Sequence, residues 1–147
     1  MQKLTIQNVL ILFNLIKKQM SERSKETGYS SSFCRLLFAI DNVRKRKKCV
    51  YQKDLEEKFH LSKSGLSELL LGLENNGLIE RVASTTDSRY KEIKVSLKGE
   101  EAIKTIHKNE LIIEEIIREN ICEEDYEIFT RTITKMQENL GGMKNEN

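Results

Sequence analysis

The chain has 147 residues, a third of them charged and 38% hydrophobic, a length and balance that suit one folded domain with helical extensions and exclude a disordered chain. A net charge of +2 says little by itself about nucleic acid. No apolar run reaches the roughly 18 residues that a membrane span needs, so no membrane partner is expected.

The opening stretch M-Q-K-L-T-I-Q-N-V-L-I-L-F-N-L-I is apolar, but Gln7, Asn8 and Asn14 interrupt it and no small-residue cleavage site follows. It is therefore not read as a signal peptide. Residues 4–25 read as a helix, with Leu4, Val9, Leu12, Phe13, Ile16 and Met20 at helical spacing. Gly28 and Ser30-Ser31-Ser32 form a break in which a serine can cap the next helix. That helix is predicted over 33–46, with Phe33, Leu36, Leu37, Ile40 and Val43 on one face. No proline interrupts these or any later helices.

Arg44-Lys45-Arg46-Lys47-Lys48 follows, then a short β-prone Cys49-Val50. Gln52 to His60 reads as a helix with Leu55 and Phe59 at i, i+4, and Leu61-Ser62 as a turn. Ser62 is a natural N-cap for a helix over 63–76, whose apolar stripe is Leu66, Leu69, Leu70 and Leu73. Gly77 stands where a helix C′ glycine belongs. Ile79–Ala83 and Tyr90–Ser96 alternate as strands around a polar hairpin tip, Ser84 to Arg89. Gly99 falls in the first turn of a long helix running to about Asn120. A last helix spans about 123–140, and its Tyr126, Phe129, Ile133, Met136 and Leu140 make a narrow seam suited to packing along another helix.

Two short helices, a tight ribbon and the start of a long helix make up a winged helix-turn-helix. One helix of such a unit fits the major groove of DNA and the ribbon reaches the flanking backbone or minor groove. Charge follows the pattern: residues 44–99 hold 13 Lys and Arg against 8 Asp and Glu, while the remainder holds 12 against 15. Positive charge thus gathers where phosphate must be neutralised.

The helix start Ser62-Lys63-Ser64-Gly65-Leu66-Ser67 offers hydroxyls, a cation and unpaired backbone N–H groups, and Lys63, Ser64 and Ser67 fall on the face opposite the apolar stripe. Glu68 shares that face, where it repels phosphate but is able to accept from a cytosine amino group. In the wing Arg81, Arg89, Lys91 and Lys94 supply positive charge. Asp87, two residues before Arg89, is placed to hold its guanidinium extended for a narrow minor groove. The five-residue basic run is of a kind that usually forms a solvated loop, with flanking phosphates as its alternative role.

No catalytic constellation, phosphate loop or metal-ligand spacing is present, so no enzyme and no cofactor are expected. His60 is expected to end its helix and His107 to sit on a helix surface. Cys34, Cys49 and Cys122 are odd in number and lack CxxC spacing, which fits a reducing cytoplasm. A redox role for Cys34 or Cys49 competes with a buried, inert thiol. The terminal helices over 4–20, 102–121 and 126–140 are more apolar than a small winged unit needs, so a homodimer is expected to cover them.

The ordered combination L-E-N-N-G-L-I-E-R, D-S-R and V-S-L-K-G resembles the MarR (multiple antibiotic resistance regulator) family of bacterial winged-helix transcription factors. The resemblance runs over essentially the whole length and is sharpest over residues 51–99. It implies a homodimer joined by its N- and C-terminal helices, with recognition helices in successive major grooves of a pseudo-palindromic operator. It also implies repression relieved by a small ligand or by cysteine oxidation. By position, Ser62, Lys63, Ser64 and Ser67 fall in the recognition helix. Arg81 closes the L-I-x-R element, and Asp87 and Arg89 match the wing motif, with Arg89 as the minor-groove residue. Glu68 stands where the family commonly carries a basic residue. The first helix lacks the cysteine of the peroxide-sensing branch, and no His/Glu cluster matches the zinc-sensing one.

The reading is a mainly α chain with a small β-wing: a winged helix-turn-helix part over 33–99, with helical dimerisation parts over 1–28 and 100–142 of a single domain, 1–147. The expected function is a cytoplasmic, homodimeric DNA-binding repressor released by a small-molecule inducer. Its partners would be double-stranded DNA and a second copy of the chain. The alternatives are a protein-interaction module, acting as an anti-repressor or co-regulator, and a cysteine-based redox regulator.

Overall fold

The computed structural model describes residues 5–56, 59 and 62–141. In chain order the elements are α1 (Thr5–Ser24), a short 3-10 turn (Lys25–Thr27), α2 (Ser31–Arg44), α3 (Gln52–Glu56), α4 (Lys63–Asn75), β1 (Ile79–Ala83), β2 (Lys91–Val95), α5 (Leu97–Arg118) and α6 (Glu123–Gly141). The mainly helical class with one two-stranded wing is as predicted, with boundaries shifted by one or two residues. Leu4, His60, Leu61 and most of the predicted helix beyond Glu56 lie outside the described residues.

The chain divides into two compact units, Met1–Leu111 and Ile112–Asn147. The core of the first is built by the stripes the sequence marks. Leu36, Leu37 and Ile40 of α2 meet Leu66, Leu70 and Leu73 of α4, with Leu55, Leu78 and Ile79 completing a fully buried centre. Each such side chain contributes about 1.5–3 kcal/mol by leaving water. Phe33 packs against this core and Gly72 makes room for it, because a Cβ there would lie 2.5 Å from the ring's Cζ.

Local chemistry sets the joints. Ser30 caps α2 by accepting from the Phe33 N–H, and Ser62 caps α4 by accepting from the Gly65 N–H. At the far end of α4, Gly77 takes φ 70°. There the Leu78 N–H reaches the Leu73 carbonyl and the Gly77 N–H reaches that of Glu74, both at 2.9 Å, which is a Schellman stop. This stop feeds the chain directly into β1. The ribbon pairs antiparallel from Ile79–Val95 to Ala83–Lys91. A third partner comes from the segment before α3: the Val50 carbonyl accepts from the Ile93 N–H at 2.8 Å, and Tyr51 bridges Glu92.

α1 is unusual for its sequence. Of its residues only Ser24 is buried, while Ile6, Leu10, Ile11, Phe13 and Leu15 stand more than half exposed. In the second unit, α6 has no buried residue, and Ile128, Phe129, Met136 and Leu140 are exposed. Arg118 pairs with Glu123 and lies 4.3 Å from the Tyr126 ring, and Tyr126 donates its hydroxyl to Glu114.

Candidate nucleic-acid interface

The first turn of α4 is exposed at Ser62, Lys63 and Ser64. The Ser62 and Ser64 hydroxyls lie 3.1 Å apart and share a hydrogen bond. Ser67, expected on the open face, is half-buried. Its Oγ donates to the Lys63 carbonyl and accepts from Gln52 Nε2, each at 2.8 Å. Gln52 thereby ties the start of α3 to α4 and holds the two helices of the turn together. Sequence spacing carried no sign of this bond, because it joins two uncharged polar residues across a turn. Beyond the first turn the exposed face continues with Glu68 and then Leu71.

Arg81 sits elsewhere than a free cation would. Its side chain is only 21% exposed, and its Nη2 and Nε donate to Glu74 Oε2 at 2.8 and 3.1 Å. The Arg81 N–H also reaches Glu74 Oε1, at 3.3 Å. Arg81's guanidinium holds the Glu74 carboxyl below its ordinary range. The pair joins the last turn of α4 to the first strand of the wing.

Asp87 and Arg89 are together at the wing tip, as their spacing predicts. Arg89 Nε donates to Asp87 Oδ1 at 3.0 Å and Nη2 to Oδ2 at 2.8 Å, while the Arg89 N–H bonds Oδ1 at 3.1 Å. The arginine side chain remains 80% exposed. Hydrogen bonding to Arg89 lowers the Asp87 carboxyl, and the same bonds raise the guanidinium. A fork clamped on one edge has lost rotamer freedom yet still presents the remaining N–H groups to solvent. Lys91 and Lys94 are exposed along β2.

The tip is fixed from beneath by Ser84, which is 8% exposed. Its Oγ lies 3.0 Å from both the Tyr51 hydroxyl and Thr86 Oγ1 and accepts from the Thr86 N–H at 3.3 Å. The sequence marks Ser84 only as part of a polar tip.

The basic run is largely committed within the fold. Arg44 bonds Asp41 and Glu100, Lys45 bonds Asp41, and Lys47 bonds Asp54. It is therefore not a solvated loop of five open cations. His107 is likewise not a plain surface residue: its Nε2 lies 2.7 Å from Asp41 Oδ2 and its ring meets Phe38 edge-on. Cys34 is buried against Thr27, and burial pushes its thiol up, away from the reactive thiolate. Cys49 is half-buried and Cys122 exposed. Among the described residues no helix is long and apolar enough to cross a membrane, and no group of His, Cys, Asp and Glu is arranged to hold a metal ion.

Residues 28–89 match the model of the MarR family, which bears out the resemblance read from residues 51–99. The fold is shared with solved MarR-family structures. The transcription regulator MarR from Oenococcus oeni PSU-1 is 21% identical with a TM-score of 0.69, over 90% of this chain and 97% of that one. The S. aureus MepR–DNA complex is 18% identical with a TM-score of 0.76, over 90% and 93%. A MarR-family transcriptional regulator from Listeria monocytogenes, complexed with a 26mer DNA, is 17% identical with a TM-score of 0.78, over 95% and 90%. No curated protein sequence matches the chain significantly.

Proposed function

We propose that this protein is a homodimeric, DNA-binding transcriptional regulator, a repressor that occupies its operator and leaves it when a small ligand binds. The observation that carries the reading is the wing tip, where Asp87 holds an exposed Arg89 guanidinium in one orientation. Solvated arginines need no such clamp, whereas an arginine that enters a narrow minor groove benefits from being ordered beforehand. The exposed first turn of α4 supplies the major-groove half, with Ser62, Lys63 and Ser64 as its contacts and Lys91 as a flanking cation. Ser67 and Arg81 take positioning roles through Gln52 and Glu74. Two relatives of this fold, MepR and the Listeria regulator, are solved with DNA, which supports the same partner here.

The dimer is supported by what α1 and α6 leave uncovered: apolar rows on both helices stand in water in a single chain. Half-sites one turn of DNA apart lie about 34 Å from each other, a spacing that the two α4 helices of the dimer must match. A ligand that favours a different separation weakens binding by population shift. The protein then acts where the operator lies, in the cytoplasm.

The test is binding to duplexes from neighbouring promoters, with mass measured by light scattering. A dimer with sequence-selective, salt-dependent affinity that drops about tenfold or more in Arg89→Ala supports the reading. A monomer without selectivity over random DNA refutes it.

A further inference from the structure

A second cation stands beside the wing, outside the residues assigned to the interface above. Tyr51 and Tyr90, far apart in sequence, meet edge-on beneath the wing tip with ring centroids 6.1 Å apart. Lys53 Nζ lies 4.7 Å from the Tyr90 centroid and 5.7 Å from that of Tyr51. Arg89 lies 5.8 Å from the same Tyr90 ring on which Lys53 rests. Two cations thus share one aromatic, and Tyr51 is itself pinned through its hydroxyl to the buried Ser84.

No ion pair among the described residues accounts for Lys53. Of the nearby carboxylates, Asp87 gives both oxygens to Arg89, and Asp54 is bonded to Lys47 and to the Tyr51 N–H. Both carboxyls are lowered in part by the charge of Lys53, so the ammonium is within electrostatic reach of each. Among the described residues Lys53 makes no ion pair or hydrogen bond of its own, and it is exposed. An ammonium has three N–H donors, so one that rests on a ring face keeps donors for a further partner. The arrangement orders a long side chain, gathers it next to Arg89, and leaves donors for an outside anion.

We propose that Lys53, aimed by Tyr51 and Tyr90, binds a backbone phosphate of the DNA beside the minor-groove segment that Arg89 enters. A phosphodiester is a monoanion with accepting oxygens, and it lies on the rim of that groove. The inference rests on the DNA-binding reading above and adds a phosphate contact to it. Lys53 positions without reading sequence.

The experiment measures affinity of the full chain for a selected operator duplex and for an unrelated duplex, across a salt series. For Lys53→Gln the slope of log K against log salt is expected to become shallower by about 0.9 for each phosphate lost, so by about 2 for a dimer. Affinity for both duplexes should fall by a similar factor, leaving their ratio intact. Lys53→Arg should restore most of the slope. Tyr90→Phe should behave as the native protein, and Tyr90→Leu should lose part of the affinity with the same loss of slope. If Lys53→Gln keeps the native slope and affinity on an operator the native protein binds, the phosphate contact is wrong. If Tyr90→Leu is native-like, the aiming by the rings is wrong. If the native protein binds no operator selectively, the DNA reading itself fails, and that result is distinct from the other two.

Discussion

Glu74 and Arg81 form a bidentate lock across the Gly77 turn, with Arg81 Nη2 and Nε both on Glu74 Oε2 and the Arg81 N–H on Oε1. The lock ties α4 to the first strand of the wing, so the two elements keep one relative setting. Substituting Glu74 by Ala is expected to destabilise the chain by about 1 kcal/mol, the modest value solvent leaves to a partly exposed pair. Arg81→Ala should cost about the same and should weaken DNA binding no more than Glu74→Ala does. If Arg81→Ala alone makes the salt dependence shallower, Arg81 touches phosphate directly and the positioning role is refuted.

Tyr51 and Ser84 brace the wing tip from beneath. Tyr51→Phe removes one hydrogen bond from a buried hydroxyl and is expected to cost about 1 kcal/mol. Amide exchange at Thr86 and Asp87 should quicken, because Ser84 Oγ accepts from both N–H groups. Unchanged exchange at these two amides would show that the tip holds its shape without Tyr51.

Much of this architecture was legible because it is local. The Ser62 cap, the stop at Gly77, the alternating strands and the Asp87–Arg89 pair each depend on residues within a few positions of one another. The leucine stripes of α2 and α4 were legible because helical periodicity reports a buried face directly. What escaped are polar pairs between distant elements. Nothing in spacing alone joins Gln52 to Ser67, Tyr51 to Ser84 or His107 to Asp41. Arg81 was legible as a cation of the wing but not as a bound one, since its partner lies seven residues back across a turn. Ser67 lies at the margin of the open face, where helical periodicity alone assigns it to solvent, and its bond to Gln52 leaves it half-buried.

Asp41 is the most buried carboxylate of the described residues at 2% exposure, and Lys45, His107 and Arg44 surround it. Burial alone would raise its carboxyl, but hydrogen bonds from Lys45, His107 and Arg44 bring it down to about 2 from 3.8. A carboxyl lowered on folding contributes stability that is present above its unfolded value and is lost as pH falls through the folded one. The contribution, about 2 kcal/mol from the size of the shift, should therefore disappear between roughly pH 4 and pH 2. Denaturant melts of the native chain and Asp41→Asn should differ most above pH 4 and converge toward pH 2. A constant difference across that window would contradict the assignment.

Gly99 brings the first turn of α5 against the start of the wing. A Cβ at this position would lie 2.1 Å from the Leu78 carbonyl oxygen, a backbone atom that cannot swing aside. Gly99→Ala is expected to destabilise by about 3 kcal/mol, at the upper end of overpacking costs. At Gly141 an added Cβ would meet nothing among the described residues within 4 Å, so alanine should be accepted there with little change. Equal thermal stability of both variants would overturn this packing argument.

On the proposed function, the clamped wing arginine and the exposed turn of α4 together make a DNA-reading surface. The most direct measurement is affinity for promoter duplexes, the chain's own included, at several salt concentrations for the native protein and Arg89→Ala. Selective binding is expected that weakens as salt rises and falls about tenfold or more in the variant. Binding that does not discriminate operator from random sequence, or an Arg89→Ala variant indistinguishable from the native protein, would contradict it.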